Sequence, residues 1–430
     1  MKSLLKSIVT HIITFEARIL LKRTRPQIIA IIGSVGKTSV KDAVYAVLKD
    51  HVHVRKSEKS FNSEIGVPLS ILGLSNAWSS PRKWLKNIID GAFLALHPGD
   101  YPKLLVLEIG VDRPGDMEKL AEWIRPDVVV LTRLPLVPVH VEFFDSPESV
   151  IEEKKKMVDA LKPDGILIFN HDDENVVAVA EAAPQQSIGY SRSTLSPFTA
   201  SSDTVVYENG TAVGFEFTLT HLDEVTLMRV NGSLGIQHAY NFAAATAVAS
   251  LFDISVADSA GSLKNHIPPA GRMRIIAGIK DSLIIDDTYN SSPVASERSL
   301  ETVKDVKGVK RRIAILGDMM ELGQYSVREH ERIGELMYGI IDVLITVGVR
   351  ARGFAKGARL HGMGDKNIIE YDNTKQAAKE LDGLIKPGDL ILIKGSQSIR
   401  AEQLVEEIMA HPEDASSLLV RQDAAWKNVD

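Results

Sequence analysis

The sequence predicts an α/β protein with two open, mostly parallel sheets, and three observations support this fold class. Short apolar runs alternate with helix-like stretches in the first part of the chain, and a second alternation begins after residue 280. Between the two, HIPPAGR at residues 266–272 is typical of a linker. Strands that alternate with helices form βαβ units, which build parallel sheets. The length of 430 residues allows two or three domains.

The first series contains four short, continuous apolar runs, a pattern typical of buried strands. They are QIIAIIG (27–33), KLLVLEIG (103–110), DVVVLTRL (127–134) and GILIFN (165–170). Residues 187–235 are rich in Ser, Thr and Gly, and the alternating run GFEFTLT at 214–220 predicts a small antiparallel β region there. The alanine-rich stretch NFAAATAVASLF at 241–252 predicts a helix.

The second series repeats the alternation beyond the linker. Its predicted strands are SLIIDD (282–287), RRIAILGD (311–318), VLITVG (343–348) and DLILIKG (389–395). These strands predict a Rossmann-like C-terminal α/β domain. We expect the chain to divide into an amphipathic N-terminal helix at 1–25, a central domain at 26–270, a C-terminal domain at 271–410 and a tail at 411–430.

The N-terminal segment, residues 1–24, is similar in its apolar content to a signal peptide or a membrane span. Lys6, His11, Glu16 and Arg18 interrupt it, and it has no small-residue cleavage site, so we expect neither and favour a cytoplasmic protein. Two alternatives remain. The favoured one is a helix that docks on the following domain; the other is a peripheral membrane or partner helix with basic anchors at Lys2, Lys6, Arg18, Lys22 and Arg23.

Composition excludes several classes of function. The net charge of −6 gives no general basic excess for nucleic acid, so an anionic ligand needs a local site. Cysteine is absent, which excludes disulfides, thiolate metal sites and a cysteine nucleophile. A metal would therefore be held by oxygen or histidine ligands, as Mg²⁺ prefers.

A glycine-containing turn joins the first predicted strand to a helix and is a candidate phosphate loop. Glycines let backbone N–H groups converge on phosphate oxygens at a helix N-terminus. Lys37 can reach the β- and γ-phosphates, and the Thr38 hydroxyl can bind Mg²⁺. The standard pattern would need Gly where this chain has Ile31, so a tight turn with a chance lysine is the alternative. The pattern favours a central P-loop ATPase domain, with candidate nucleotide ligands Gly33, Ser34, Gly36, Lys37, Thr38 and Ser39.

Further motifs follow this loop in a fixed order between residues 27 and 408. They are FNSEIGVPL (61–69), EIG (108–110), RPGD (113–116), DDTYNSSP (286–293), LGDMMELG (316–323) and KGSQS (394–398). With the loop, this series resembles the Mur ligase family, and most closely its D-alanyl-D-alanine-adding branch. The resemblance implies an ATP-dependent ligase that joins an amino group to a carboxylate. Members of that branch carry a separate N-terminal domain for the uridine diphosphate of the substrate, and we expect this chain to lack it because the loop begins at residue 33.

The resemblance also implies a catalytic group with two Mg²⁺ ions. Lys37, Glu108, His140 and Lys154 match its catalytic positions, and Thr38, Glu108, His140 and Lys154 match its metal ligands. In the family, a lysine near position 154 is carbamylated by CO₂ and becomes an anionic metal ligand. The run EEKKK at 152–156 leaves open which of Lys154, Lys155 and Lys156 is carbamylated. The alternatives are that the lysines belong to a solvated charged helix face, that His140 is structural, and that Glu108 is a solvent-exposed carboxylate at a strand end.

The remaining candidates also come from the resemblance. Asn241 would lie near adenine, or could equally cap a helix. Arg272, Asp286, Asp287 and Asn290 would contact nucleotide ribose and phosphate, although DDTYNSSP also fits a plain turn. The substrate candidates are Asn62, Lys394, Ser396 and Ser398, of which the last three would hold the carboxylate of the amine substrate.

The predicted reaction is amide-bond formation through an acyl phosphate. The partners would be small molecules rather than nucleic acid, with UDP-N-acetylmuramoyl-tripeptide as acceptor and D-alanyl-D-alanine as amine. Two alternatives are a ligase for a non-UDP acceptor and a nucleotide-binding scaffold without turnover.

Overall fold

The structure is a computed structural model that describes residues 2–58, 61–78, 80–423 and 426. Within these residues the chain forms one sheet of nine strands and one of six, with helices on both faces of each. The predicted class, two mostly parallel α/β sheets, is confirmed.

The first sheet lies between residues 27 and 231. Its strands are β1 (Gln27–Ile32), β2 (Val54–Lys56), β3 (Leu104–Glu108), β4 (Val128–Leu131), β5 (Ile166–Asn170), β6 (Gln186–Ser191), β7 (Phe198–Glu208), β8 (Thr211–His221) and β9 (Glu224–Asn231). Its helices are α1 (Lys2–Thr24), α2 (Lys37–Leu48), α3 (Gly66–Leu72), α4 (Pro81–Leu96), α5 (Asp116–Ala121), α6 (Pro147–Asp159), α7 (Glu174–Ala182), α8 (Gln237–Ser250) and α9 (Val256–Lys264). The strand order is β2-β3-β1-β4-β5-β6-β7-β8-β9, antiparallel only from β7 to β9.

The second sheet lies between residues 274 and 394. Its strands are β10 (Arg274–Ala277), β11 (Leu283–Asp287), β12 (Arg311–Gly317), β13 (Val343–Val347), β14 (Ile368–Tyr371) and β15 (Asp389–Lys394). Its helices are α10 (Pro293–Asp305), α11 (Ser326–Glu335), α12 (Arg352–Leu360), α13 (Thr374–Leu384), α14 (Glu402–Ile408) and α15 (Ala415–Leu418). The order is β10-β11-β15-β12-β13-β14, parallel except for β10.

The C-terminal segment after α14 packs against the second sheet domain. Ala415 and Leu419 are buried in its core. Arg421 donates hydrogen bonds to the carbonyls of Thr288 and Tyr289 and pairs with Glu402. The described part of the predicted tail is therefore a docked arm, while residues 424, 425 and 427–430 lie outside the described residues.

The N-terminal helix α1 docks on the first domain, as the favoured alternative predicted. Val9, Ile13, Ala17 and Leu20 are buried and join the core cluster on one face of the first sheet. Arg23 donates a hydrogen bond of 3.2 Å to the carbonyl of Ala95 in α4. Of the helices in the described part of the chain, none is long and apolar enough to cross a membrane.

The α1–α4 contact buries one carboxylate without a partner. Glu16 is 6% exposed, and its Oε2 accepts no hydrogen bond from any described residue. A Cβ at Gly91 would collide with Oε2, so glycine permits the close approach of α4. Burial raises the pKa of Glu16 to about 7, because desolvation disfavours the charged form.

Glu16→Gln should therefore stabilise the fold above neutral pH. Below about pH 4.5, Glu16 is protonated in both the folded and the unfolded chain. Between that value and pH 7 the folded chain keeps the proton that the unfolded chain loses, so the stability of the wild type falls as pH rises. We expect the variant to gain about 2 kcal/mol in unfolding free energy at pH 8 and nothing at pH 4, measured by chemical denaturation. The exposed Glu152→Gln is the matched control, and an equal gain at both pH values would contradict the assignment.

Candidate active site

The site lies at the carboxyl ends of strands from both sheets, where open α/β folds bind ligands. A cavity of about 620 Å³ is lined by the segments that follow β1, β3, β11, β12 and β15. The candidate residues on its lining are Ser34, Gly36, Lys37, Thr38, Asn62, Glu108, His140, Arg272, Asn290, Ser396 and Ser398. Residues more than 350 positions apart in sequence thus share one cleft.

The phosphate loop has the backbone that its glycines allow. Gly33 has φ +131°, and a Cβ there would collide with Thr132. Gly36 has φ +90° and immediately precedes α2, whose first residue is Lys37. Left-handed φ values at both positions are strained for any residue with a side chain. The loop therefore presents the amino end of a 12-residue helix to the cavity.

Lys37 folds back over this loop. Its Nζ donates a hydrogen bond of 2.9 Å to the carbonyl of Gly33. Burial lowers the pKa of Lys37, and the nearby Glu108 carboxylate partly opposes that shift. A phosphate bound at the loop would supply the negative charge that favours the ammonium form.

Glu108 is the anionic centre of the cavity and is 1% exposed. Its Oε1 accepts hydrogen bonds of 3.1 Å from both Thr38 Oγ1 and Asn62 Nδ2. Its Oε2 accepts none from the described residues and lies 3.5 Å from Lys41 Nζ. A buried carboxylate oxygen without a hydrogen bond, beside a hydroxyl, fits a hard divalent cation. The solvent-exposed alternative for Glu108 is wrong.

The three candidate lysines of α6 differ in environment. Lys154 is 2% exposed, and its Nζ donates a 2.8 Å hydrogen bond to Ser34 Oγ in the phosphate loop. Lys155 and Lys156 are partly exposed; Lys155 pairs with Asp159, and Lys156 pairs with Glu118 and the buried Glu153. Burial, and then the Lys37 charge, lower the pKa of Lys154 to about 7. Among the three, Lys154 is the one whose Nζ contacts the phosphate loop.

His140 joins the two halves of the chain. It has φ +72°, and its Nδ1 lies 2.6 Å from Glu321 Oε2 while its Nε2 lies 3.5 Å from Asp112 Oδ1. Hydrogen bonding to His140 lowers the pKa of Glu321. Sequence reasoning assigned no role to Asp112 or Glu321, although Glu321 falls inside LGDMMELG. In the described residues no three His, Asp or Glu side chains are grouped closely enough to hold a metal ion, so His140 is not in a preformed ligand cluster.

A smaller cavity of about 90 Å³ adjoins the same loop through Val35 and Gly36. Its walls combine apolar and aromatic side chains, including Tyr190 and Ile236, with polar ones such as Asn241 and Ser39, and charged residues such as Arg298 line it as well. This is a shape and chemistry that suit a purine ring. Asn241 lies in the second turn of α8, so the helix-capping alternative for it is wrong.

Three of the candidates from the second half, Lys394, Asp287 and Asp286, are committed to internal contacts. Lys394 pairs with Asp287 at 2.6 Å and donates to the carbonyl of Asn290, and burial lowers its pKa. It borders the smaller cavity and not the larger one. Asp286 is fully buried in β11 and accepts hydrogen bonds from the Gly271 amide of the linker and from Thr288.

The other candidates of this half face the larger cavity. The Arg272 guanidinium lies 4.1 Å from the centre of the Tyr289 ring, and its buried Nε has no hydrogen-bond partner in the described residues. Ser396 Oγ accepts a hydrogen bond from the Met320 amide, and Ser398 lines the same wall. Sequence reasoning gave no role to Tyr289, Gln397 or Trp426, which also line it.

Comparison with known proteins reveals consistent similarities. The Mur ligase middle domain matches residues 31–249, and the Mur ligase, glutamate ligase domain matches residues 271–397. The chain is 26% identical over 397 residues to the UDP-N-acetylmuramoyl-tripeptide–D-alanyl-D-alanine ligase of Bacillus subtilis, covering 92% of this chain and 79% of the relative.

Solved structures agree with the sequence relatives. MurF from Acinetobacter baumannii superposes with a TM-score of 0.76 at 21% identity, over 92% of this chain and 79% of that one. The MurF ligase of Thermotoga maritima, solved in complex with ADP, superposes with a TM-score of 0.74 at 25% identity, over 93% and 83%.

Proposed function

The chain belongs to the Mur ligase family of ATP-dependent, amide-bond-forming ligases, and from this membership we propose that it adds D-alanyl-D-alanine to a UDP-N-acetylmuramoyl-tripeptide in peptidoglycan synthesis. The observation that carries the proposal is the shared cleft, in which the phosphate loop and Glu108 face Ser396 and Ser398 of the other half. Similarity to the Bacillus subtilis enzyme supports the choice of substrates.

ATP would bind across both cavities. The loop amides and Lys37 hold the phosphates, and the smaller cavity with Asn241 holds the base. Arg272 and Asn290 approach the phosphates from the second half. The acceptor carboxylate then attacks the γ-phosphorus, ADP leaves, and an acyl phosphate forms.

Two anions must approach each other in this step, which requires positive charge between them. Glu108, Thr38 and His140, with Lys154 as its carbamate, would hold Mg²⁺, which neutralises phosphate and carboxylate charge when bound. Of the chain's own residues, Lys37 supplies a fixed positive charge and Ser34 orients Lys154. The amine then attacks the acyl carbon, the phosphate leaves with the bonding electron pair, and the amine loses its proton to solvent.

The amine substrate would enter from the second half of the chain. Ser396 and Ser398, which line the same cavity as Glu108, offer hydroxyl groups to its carboxylate. Lys394, through its pair with Asp287 and its bond to the Asn290 carbonyl, would hold the ligand-bearing loop in place.

The test is a ligation assay with the full chain, ATP, Mg²⁺ and bicarbonate. We expect phosphate release and a ligated product, detected by mass spectrometry, only when UDP-N-acetylmuramoyl-tripeptide and D-alanyl-D-alanine are both present. If product forms only with a non-UDP acceptor, the proposed acceptor is wrong and that molecule takes its place. If no acceptor supports phosphate release, the scaffold alternative is favoured.

A further inference from the structure

The outer face of helices α1 and α4 is apolar and exposed. Of eighteen exposed large hydrophobic side chains in the described residues, six lie on these two helices: Ile8, Phe15, Leu85, Ile89, Phe93 and Leu96. Phe15 is 64% and Phe93 66% exposed. Exposed apolar side chains gathered in one place indicate an interaction surface, whereas single ones are normal. We call these six residues the α1–α4 face.

The spacing places these residues on one side of each helix. Leu85, Ile89, Phe93 and Leu96 follow one another at intervals of three or four residues along α4. Along α1, Ile8 and Phe15 are two turns apart. An open groove of about 440 Å³, lined by Phe15 and Ile19 of α1 and Ala92 and Leu96 of α4, joins the two stripes.

The same two helices carry an excess of positive charge. They contain eight Lys and Arg against two Asp and Glu, whereas the chain as a whole has a net charge of −6. Arg18 and Lys22 are exposed and continue the stripe of Phe15 at intervals of three and four residues. Of the two acids, Glu16 is buried and Asp90 pairs with Lys86. Within these two helices, Arg18 and Lys22 have no acidic partner among the described residues.

We propose that the α1–α4 face binds the surface of an anionic lipid bilayer. Apolar side chains flanked by Lys and Arg match the interface, where rings and branched chains enter the headgroup region and cations meet lipid phosphates. Neither helix is a candidate membrane span, so the contact lies in the plane of the surface. A second copy of the chain on this face would bring two sets of cations together, which charge repulsion opposes. The surface is separate from the ligand cleft, since none of the described residues that line the cleft belongs to α1 or α4.

Vesicle flotation of the full chain tests this proposal. We expect the protein to float with vesicles of phosphatidylcholine containing about one-third phosphatidylglycerol, and about tenfold less with phosphatidylcholine alone. Raising NaCl to about 0.5 M should weaken binding, because salt screens the charge contribution. Equal binding to both vesicles, or none to either, would overturn the proposal.

A matched pair of variants locates the surface. Leu85→Glu with Leu96→Glu should lower partitioning into the anionic vesicles about tenfold. Leu195→Glu with Leu222→Glu changes charge equally at exposed leucines elsewhere and should leave partitioning within twofold of wild type. Unchanged thermal midpoints verify that both variants fold. Equal loss in both, or none in the first, would overturn the proposal.

Analytical ultracentrifugation without lipid tests whether a second copy of the chain, and not a bilayer, covers the α1–α4 face. A monomeric wild type is the expected result. A dimer that the Leu85→Glu, Leu96→Glu variant dissociates would overturn the proposal and assign the face to a second copy. Flotation that requires an added acidic protein would assign it to a protein partner instead.

Discussion

Lys37→Ala should lower ATP turnover by about a thousandfold or more. The ammonium group lies at the mouth of the phosphate loop, where its hydrogen bond to the Gly33 carbonyl holds it beside Glu108. Transfer of a phosphoryl group develops charge on its oxygens, and removing a fixed cation from such a site costs about 10²- to 10⁵-fold in rate. Steady-state phosphate release with saturating substrates measures the effect.

The control is Lys49→Ala, which removes a lysine from the opposite end of the same helix, α2. It should keep turnover within about twofold of wild type, since the residue is exposed and remote from the cleft. Full turnover in Lys37→Ala would refute the assignment of the loop, and an equal loss in Lys49→Ala would point to damage of the helix.

Lys154→Ala should lower turnover by about a hundredfold or more and should remove any dependence on bicarbonate. An amine attacks CO₂ only in its neutral form, and the pKa of about 7 makes that form abundant at pH 7 to 8. Wild-type activity in bicarbonate-depleted buffer should rise on adding bicarbonate, more so at pH 8 than at pH 6. Added acetate or propionate should partly restore Lys154→Ala, because a small carboxylate can supply the missing anion.

Lys155→Ala is the matched control for this second variant. Lys155 is the next residue of α6, but it pairs with Asp159 near the surface. It should retain turnover and bicarbonate dependence, and transfer of both effects to Lys155→Ala would assign the carbamate to that residue. Carbon-13 NMR of protein equilibrated with labelled bicarbonate gives a readout independent of activity.

The main features of the fold were predictable from sequence because they depend on local patterns. The strands at the centre of each sheet are continuous apolar runs, and β1, β3, β12 and β15 lie within a residue or two of where those runs predicted them. The edge strands β2, β10 and β14 have three or four residues and no such run. Short edge strands are paired on one side only, so their residues need not be apolar, and the sequence offered no signal for them.

The site was predictable only in part. Residues at the carboxyl end of a strand or just after it, such as Glu108 and Ser34, could be placed at the cleft by the geometry of parallel sheets. The contact of His140 with Glu321 joins loops of two different sheets, and no local pattern encodes such a pairing. Likewise the burial of Lys154, which distinguishes it from its neighbours, depends on packing of α6 against the phosphate loop.

The hydrogen bonds of Arg421 have a consequence for how relatives of this chain can diverge. The shared family regions end at residue 397, yet two backbone carbonyls in the loop that carries Asn290 accept hydrogen bonds from the side chain of Arg421, beyond that limit. Changes at Arg421 would remove these hydrogen bonds from the loop while leaving Asn290 itself intact. Evolution could thus tune the rate of substrate exchange from a part of the chain that family motifs do not cover.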